Sequence, residues 1–348
     1  MFEQVFSPAQ GGASKRIPAI VVTAQGAFLA ATEQRPTTSD GSLTGIYIAR
    51  KERDGAWVYD LETLSYNAGG WGKFMNPSFT VDRMGAHGPA GRIWLFFLAT
   101  RTASGMAMDA TPAEIASCYV YSDDDGLTWS AIGRVPEKAW EPWPYDWMVP
   151  SPANGIQTQD GTLVIPCMGR SSGHWYSGIL FRRPGQEWAY SPATGTVEDN
   201  ESTCYVGPEG DVYLNCRNEK DGHVRNLYRF EMDRNRLVQV DNPFDPNLVC
   251  QGTICRASVE GRDFYLMSFC EPSRYNRRNW LTVWVSADAL HWTPALRLTG
   301  ERSSAGYSAI DCHDGVCGVV WEDDPQVKTI GFRDLTPLLP TFLKALSH

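Results

Sequence analysis

Short apolar runs, each closed by Gly, Asp or Pro, follow one another along the chain, and long stretches with apolar residues at helical spacing are scarce. The runs group into a unit of one run, a glycine-containing turn, a second run and a third, and the unit recurs six times. The first unit takes in residues 17–23, a turn at Gly26, then 27–32 and 46–51; the second takes in 78–82, a longer turn reaching Gly91, 93–100 and 117–122. The third comprises 155–158, the turn Asp160-Gly161, 162–168 and 178–182; the fourth comprises 203–206, Glu209-Gly210, 212–217 and 227–231. The fifth runs through 253–258, Glu260-Gly261, 264–269 and 281–285, and the sixth through 307–310, Asp314-Gly315, 316–321 and 328–332. After the second unit the spacing is roughly 50 residues, the range of propeller blades. The pattern predicts an all-β chain folded as one six-bladed β-propeller over residues 1–348. A two-sheet sandwich is the alternative, disfavoured because the six turns fall at equivalent places.

Several third runs lead through a polar turn into a tryptophan: Trp57, Trp129, Trp188 and Trp292. The clearest case, Ser122-Asp123-Asp124-Asp125-Gly126-Leu127-Thr128-Trp129, follows the Asp-box pattern S-x-D-x-G-x-T-W. In such a box the Asp carboxylate caps turn N–H groups, Gly takes a positive φ and Trp plugs the gap between sheets. The segment from Ser286 to Trp292 is an eroded copy without the Gly. These acids are therefore structural and are set aside as catalytic candidates.

Composition narrows the function. With 43% hydrophobic and 20% charged residues in 348, a sizeable core is available and disorder is not expected. A net charge of −9 without a basic tract argues against nucleic acid and against an anionic membrane surface. The strongest apolar run, residues 93–99, is far short of the ~20 residues a helix needs to cross a bilayer. Residues 1–15 have no apolar signal-peptide core, so a cytoplasmic location is expected. Nine cysteines, an odd number without a C-x-x-C pair, indicate neither a disulfide framework nor a zinc site. The nearest pairs are Cys250/Cys255 and Cys312/Cys317, and the expectation is free, mostly buried thiols in a reducing compartment.

Candidate chemistry gathers at the ends of the runs, which a propeller brings to one axial face. It comprises Arg16-Ile17-Pro18, Glu33-Gln34-Arg35, Asp40, Met75-Asn76-Pro77, Asn200-Glu201-Ser202, Asn215-Cys216-Arg217, Arg277-Arg278-Asn279 and Gly306-Tyr307-Ser308. Singly, each has an ordinary reading: a solvated Arg, a turn-capping Asp or Glu, a core Tyr. In order and spacing, with the Asp box between them and Trp321-Glu322 at the end, they resemble the exo-sialidase (neuraminidase) family from Arg16 to Glu322. The M-N-P form is most similar to the short soluble animal-type members.

The resemblance implies roles position by position. Arg16, Arg217 and Arg278 match the arginine triad that grips the substrate carboxylate; Arg277 leaves the third ambiguous by one residue, and the spacing to Leu281 favours Arg278. Tyr307 matches the nucleophile, Glu201 its base and Asp40 the general acid/base. Arg35 matches a contact to the sugar 4-hydroxyl, and Asn76 lies near the same group. The chemistry is coherent. Guanidinium binds carboxylate bidentately and stays charged, and a neutral phenol can approach a sugar that carries a carboxylate on its reacting carbon. Tyr, with an unperturbed pKa of ~10, needs a base within reach. The implied activity is retaining exo-α-sialidase action on sialylated glycans, without metal or organic cofactor.

The alternatives are a glycosidase for KDN or Kdo, a trans-sialidase, a non-catalytic sialic-acid-binding propeller and a scaffold propeller. Should Asp40 fail as the acid, Asp82 is the next candidate. The sequon at Asn200 is expected to be chance, because a glycan would block the base. The aromatic segment 140–147 is expected to be either a packed surface loop or a wall of the pocket. Oligomeric state is not legible.

Overall fold

The computed structural model describes residues 2–12, 14–59, 64–140, 143, 145–220, 225–244, 250–271, 278–300, 303–323 and 328–346. Six antiparallel sheets are the blades of a propeller. Blade one is Ser14–Val22, Phe28–Arg35, Gly45–Lys51 and Trp57–Val58. Blade two is Lys73–Asp82, Arg92–Thr100, Ile115–Ser122 and Gly133–Arg134. In blade three, Trp147–Pro150 and Ile156–Gln157 share the inner position against Leu163–Ser171, followed by His174–Arg182 and Ala189–Tyr190. Blade four is Asp199–Val206, Val212–Asn218, Arg225–Glu231 and Arg236–Val240; blade five is Thr253–Val259, Arg262–Glu271, Trp280–Ser286 and Thr293–Arg297.

Blade six is completed from the other end of the chain. Its strands Ser308–His313, Val316–Glu322 and Ile330–Asp334 take Phe2–Phe6 as their outermost member, with Phe2 opposite Arg333. The six expected units are thus all present. A fourth, outer strand in each blade and the closing N-terminal strand were not in the sequence reading.

The first strands of successive blades face one another around the axis. Between blades lie apolar layers, such as Val21, Leu29 and Ile48 of blade one against Phe79, Leu95 and Phe97 of blade two. A sheet sandwiched between neighbours is buried on both faces, which is why residues 93–99 read as a continuous apolar run without alternation. The Asp box has the expected form. Asp124 accepts from Thr128 N at 2.9 Å and Thr128 Oγ1 at 2.6 Å, Gly126 has φ 87°, and Trp129 is buried against Phe79. In the eroded copy, Asp288 caps Leu290 and His291, and Ala289 takes the positive φ without a glycine.

The expectation of free thiols throughout is corrected. Cys312 and Cys317 sit opposite each other across the blade-six hairpin and are joined by a disulfide; the other seven cysteines are free and buried. Among the described residues no helix is long and apolar enough to cross a membrane.

Candidate active site

A cavity of about 370 Å³ opens at the end of the axis where the inner strands begin. It is lined by all eight residues singled out above: Arg16, Arg35, Asp40, Asn76, Glu201, Arg217, Arg278 and Tyr307. Arg277, the other choice for the third arginine, lies outside the described residues. A second cavity of the same volume occupies the opposite end, around Arg83 and Asp311, and none of these residues borders it. Asp82 is near that second end, about 20 Å along its strand from Asn76. It is fully buried and accepts from the backbone of Ala86 and His87 and from Gln157. As a cap facing the wrong end it is removed as an alternative acid.

The local backbone explains how the side chains reach the axis. The pairing register slips between Arg16 and Ala19, between Met75 and Ser78, and between Asp199 and Ser202. Each bulge falls on one of the singled-out tripeptides, and a bulge re-aims a side chain that would otherwise follow the pleat. Ile17 and Asn76 there adopt φ 54° and 56°. Two buried glutamates hold these bends. Glu33 accepts Asn76 N at 2.7 Å and Arg35 Nε at 2.8 Å. Glu322 accepts Arg16 Nε at 2.8 Å, Ile17 N at 3.0 Å and, on its other oxygen, Tyr307 N at 3.2 Å. Gly306 is required for that approach, because a Cβ there would collide with Glu322 Oε2.

Tyr307 is buried, and its hydroxyl donates to Glu201 Oε1. The second carboxylate oxygen accepts Arg217 Nη1 at 2.6 Å. Burial, and next the Glu201 carboxylate, push the phenol well above its ordinary value, so the resting group is neutral; Arg217 and Arg278 pull the other way. The guanidiniums of Arg16 and Arg278 lie 5.5 and 5.6 Å from the Tyr307 ring centre. Arg217 also pairs with Glu219 at 2.9 Å, while its buried Nε has no partner among the described residues.

Asp40 stands on a loop with 49% of its side chain exposed. One oxygen accepts from Arg35 and, at 3.4 Å, from Arg16. Burial pushes this carboxyl up, but Arg35 and Arg16, with the Lys73 ammonium, outweigh it and hold it below the usual carboxylate range. Four arginines and three carboxylates line the cavity, and Glu33 and Glu322 pair with Arg35 and Arg16 beneath it, so guanidinium donors converge on a cavity that suits an anionic ligand.

One side of the wall is apolar: Met75, Leu98, Trp147 and Met168, with Trp175 edge-on to Trp147, and Asn200 adds a polar group to the lining. The aromatic segment therefore divides. Trp147 is an inner-strand wall residue, whereas Trp143 and Tyr145 pack away and donate to the carbonyls of Tyr190 and Ser191; residues 141, 142 and 144 lie outside the described residues. Glu33 and Glu322 stood in the sequence motif without a role. Their signal was there in part, since Glu33 is two positions from Arg35 and so on the same strand face. Among the described residues no group of three His, Cys, Asp or Glu side chains could hold a metal ion.

Comparison places this propeller in a known class. The model of the BNR repeat-like domain matches residues 71–318, so the chain belongs to that family, and within it to the exo-sialidase group of glycoside hydrolases. It is 28% identical over 327 residues to an exo-alpha-sialidase of Aspergillus fumigatus, covering 85% of this chain and 75% of that one. Among solved structures, the Hadza microbial sialidase Hz136 superposes with a TM-score of 0.80 at 21% identity, over 96% of this chain and 68% of the other. Trypanosoma rangeli sialidase, solved as a covalent intermediate with 2,3-difluorosialic acid, gives 0.78 at 16% identity, over 96% of this chain and 56% of that one.

Proposed function

We propose that the protein is a retaining exo-α-sialidase that removes a terminal N-acylated sialic acid from a glycan by double displacement. The observation that carries this reading is the chain Tyr307–Glu201–Arg217 inside a cavity lined by four arginines. The substrate carboxylate is held by Arg16, Arg217 and Arg278. Glu201 takes the phenolic proton as Tyr307 oxygen bonds to the anomeric carbon. Asp40, protonated, gives its proton to the departing glycan oxygen as that C–O bond breaks. In the second step Asp40 takes a proton from water, the hydroxide oxygen bonds to the anomeric carbon, and the phenolate leaves and recovers its proton from Glu201. Two inversions give net retention. The covalent intermediate of the trypanosomal relative supports the same route.

The apolar wall of Met75, Leu98, Trp147 and Met168 favours an N-acyl group over the bare hydroxyl of KDN or the shorter Kdo, because the acyl methyl gains apolar contact there that neither of the others offers. Aryl glycosides of N-acetylneuraminic acid, KDN and Kdo, with Tyr307→Phe as control, test the reading. The expected result is preferred release from the N-acetyl substrate with retained configuration, and a loss of at least ~100-fold in the variant. Release from none of the three, or wild-type turnover by Tyr307→Phe, overturns it. Transfer to added lactose in preference to water identifies a trans-sialidase instead.

A further inference from the structure

Lys73 touches none of the reacting groups above, although its charge helps to hold Asp40 ionised, and it is completely buried at the start of the blade-two inner strand. Taking an ammonium out of water is costly unless its donors are used. Its hydrogen bonds go to two backbone carbonyls on two different loops: Asp40 O at 3.1 Å and Gly105 O at 2.6 Å. The loops also touch directly, with Gly105 N donating to Gly41 O at 3.0 Å. A Cβ on Gly41 would stand 3.5 Å from the Gly105 carbonyl carbon and 3.6 Å from Met106 Sδ.

What else holds the Asp40 loop is slight. Its internal bonds are local turn contacts: Ser42 N to Ser39 O, Gly41 N to Ser39 Oγ, and Ser39 N to Thr37 Oγ1. The Asp40 carboxylate itself leans on Arg35 and Arg16, and a bound sugar competes for Arg16 in the proposed mechanism. When substrate arrives the Arg16 tie is contested, while a tie to the Asp40 main chain is not. The second loop supplies Met106, Ala107 and Met108 to the cavity wall.

We propose that Lys73 is the positioning residue of the acid loop: its buried ammonium clamps the main chain of Asp40 to that of Gly105 and fixes the acid and the Met106–Met108 wall in one register over the sugar. This rests on the reading of Asp40 as general acid. A displacement of the acid by ~1 Å is enough to cost on the order of 100-fold.

The test is Lys73→Met, which keeps the length and removes the donors, assayed by kcat/KM on sialyllactose and on an aryl sialoside. The expected result is a loss of ~10- to 100-fold on sialyllactose and under about threefold on the aryl substrate, which departs without protonation. Lys73→Arg, which keeps the cation, should recover most of the loss. In an Asp40→Asn background, Lys73→Met should cost less than about twofold further on sialyllactose, because its effect passes through Asp40. Equal losses on both substrates, or a full additional loss beside Asp40→Asn, overturn the proposal.

If Lys73→Met does not fold, amide-resolved hydrogen exchange on the wild type and on the milder Lys73→Gln decides. Gly105 N–H, which donates to Gly41 O, should exchange at least about tenfold faster in Lys73→Gln than in the wild type, and an unchanged rate overturns the clamp. That measurement needs no turnover. An enzyme inactive on every sialoside whose Gly105 exchange is faster in Lys73→Gln therefore fails the functional reading, not the clamp.

Discussion

Asp40 has half of its side chain in solvent and two guanidiniums on one carboxylate oxygen. In the resting protein it is held below the usual carboxylate range, so at neutral pH it is ionised, the wrong form for donating a proton. Substrate binding changes the balance, since a sugar carboxylate on Arg16 takes one of the charges that stabilise the ionised Asp40. The sign follows: a group that must be protonated, with a depressed value in the free enzyme, gives a kcat/KM that falls as pH rises. For sialyllactose we expect an acidic optimum with a descending alkaline limb. Asp40→Asn should remove that limb and cost ~10²–10⁴-fold on sialyllactose, but far less on an aryl sialoside. pH profiles of both substrates with both proteins check this, and an equal loss on the two substrates would mean that Asp40 is not the acid.

Three of the strand starts that aim the site residues are bulged, and Glu322 ties one of them, at Arg16 and Ile17, to Tyr307 at the start of blade six across the ring seam. Glu322→Gln leaves one of three donors facing an amide NH₂ and takes away the charge opposite Arg16. A hydrogen bond to a charged group contributes about 1.5–3 kcal/mol, so kcat/KM should fall by roughly 10- to 100-fold. Unlike Lys73→Met, it should do so equally on aryl and glycan substrates, because both need Arg16 and Tyr307 in place. Steady-state kinetics on the pair of substrates separates the two, and an unchanged kcat/KM would show that the bend is held without the charge. At this scale the sequence was legible where chemistry and local pattern coincide. Arg16, Asn76, Glu201 and Tyr307 sit in tripeptides whose order marks them, and the Asp box shows its turn in its own eight letters. Lys73 was not legible, since a lone lysine before an apolar strand reads as a solvated end, and its two partners are carbonyls 33 and 32 positions away. The disulfide was missed for a similar reason: pairing Cys312 with Cys317 depends on hairpin register, which composition does not carry.

On the scale of the whole ring, the six blades could be read because glycine turns punctuate them locally. The closing strand could not, because Phe2–Phe6 is five residues whose partner is Ile330–Asp334, at the far end of the chain. Its inner residues Val5 and Phe6 are buried with Ile20, Val22, Phe28, Ile330 and Phe332, at the junction of blades six and one. Phe6→Ala should cost ~3–5 kcal/mol of stability and lower Tm by several degrees, leaving KM at 25 °C unchanged because the cavity is not touched. A thermal scan beside a kinetic assay tests it, and an unaltered Tm would show that the first strand is not part of the folded ring's stability.

That closure also sets an order of events during synthesis. The Phe2–Phe6 strand waits for a partner made roughly 320 residues later, and at ~5–20 residues per second the interval is on the order of tens of seconds. Blades one to five can each form as the ribosome releases them, but the sixth cannot be completed until the Ile330–Asp334 strand has emerged. Through that interval the Phe2–Phe6 segment is an unpaired apolar strand, exposed to any other chain with an open sheet edge.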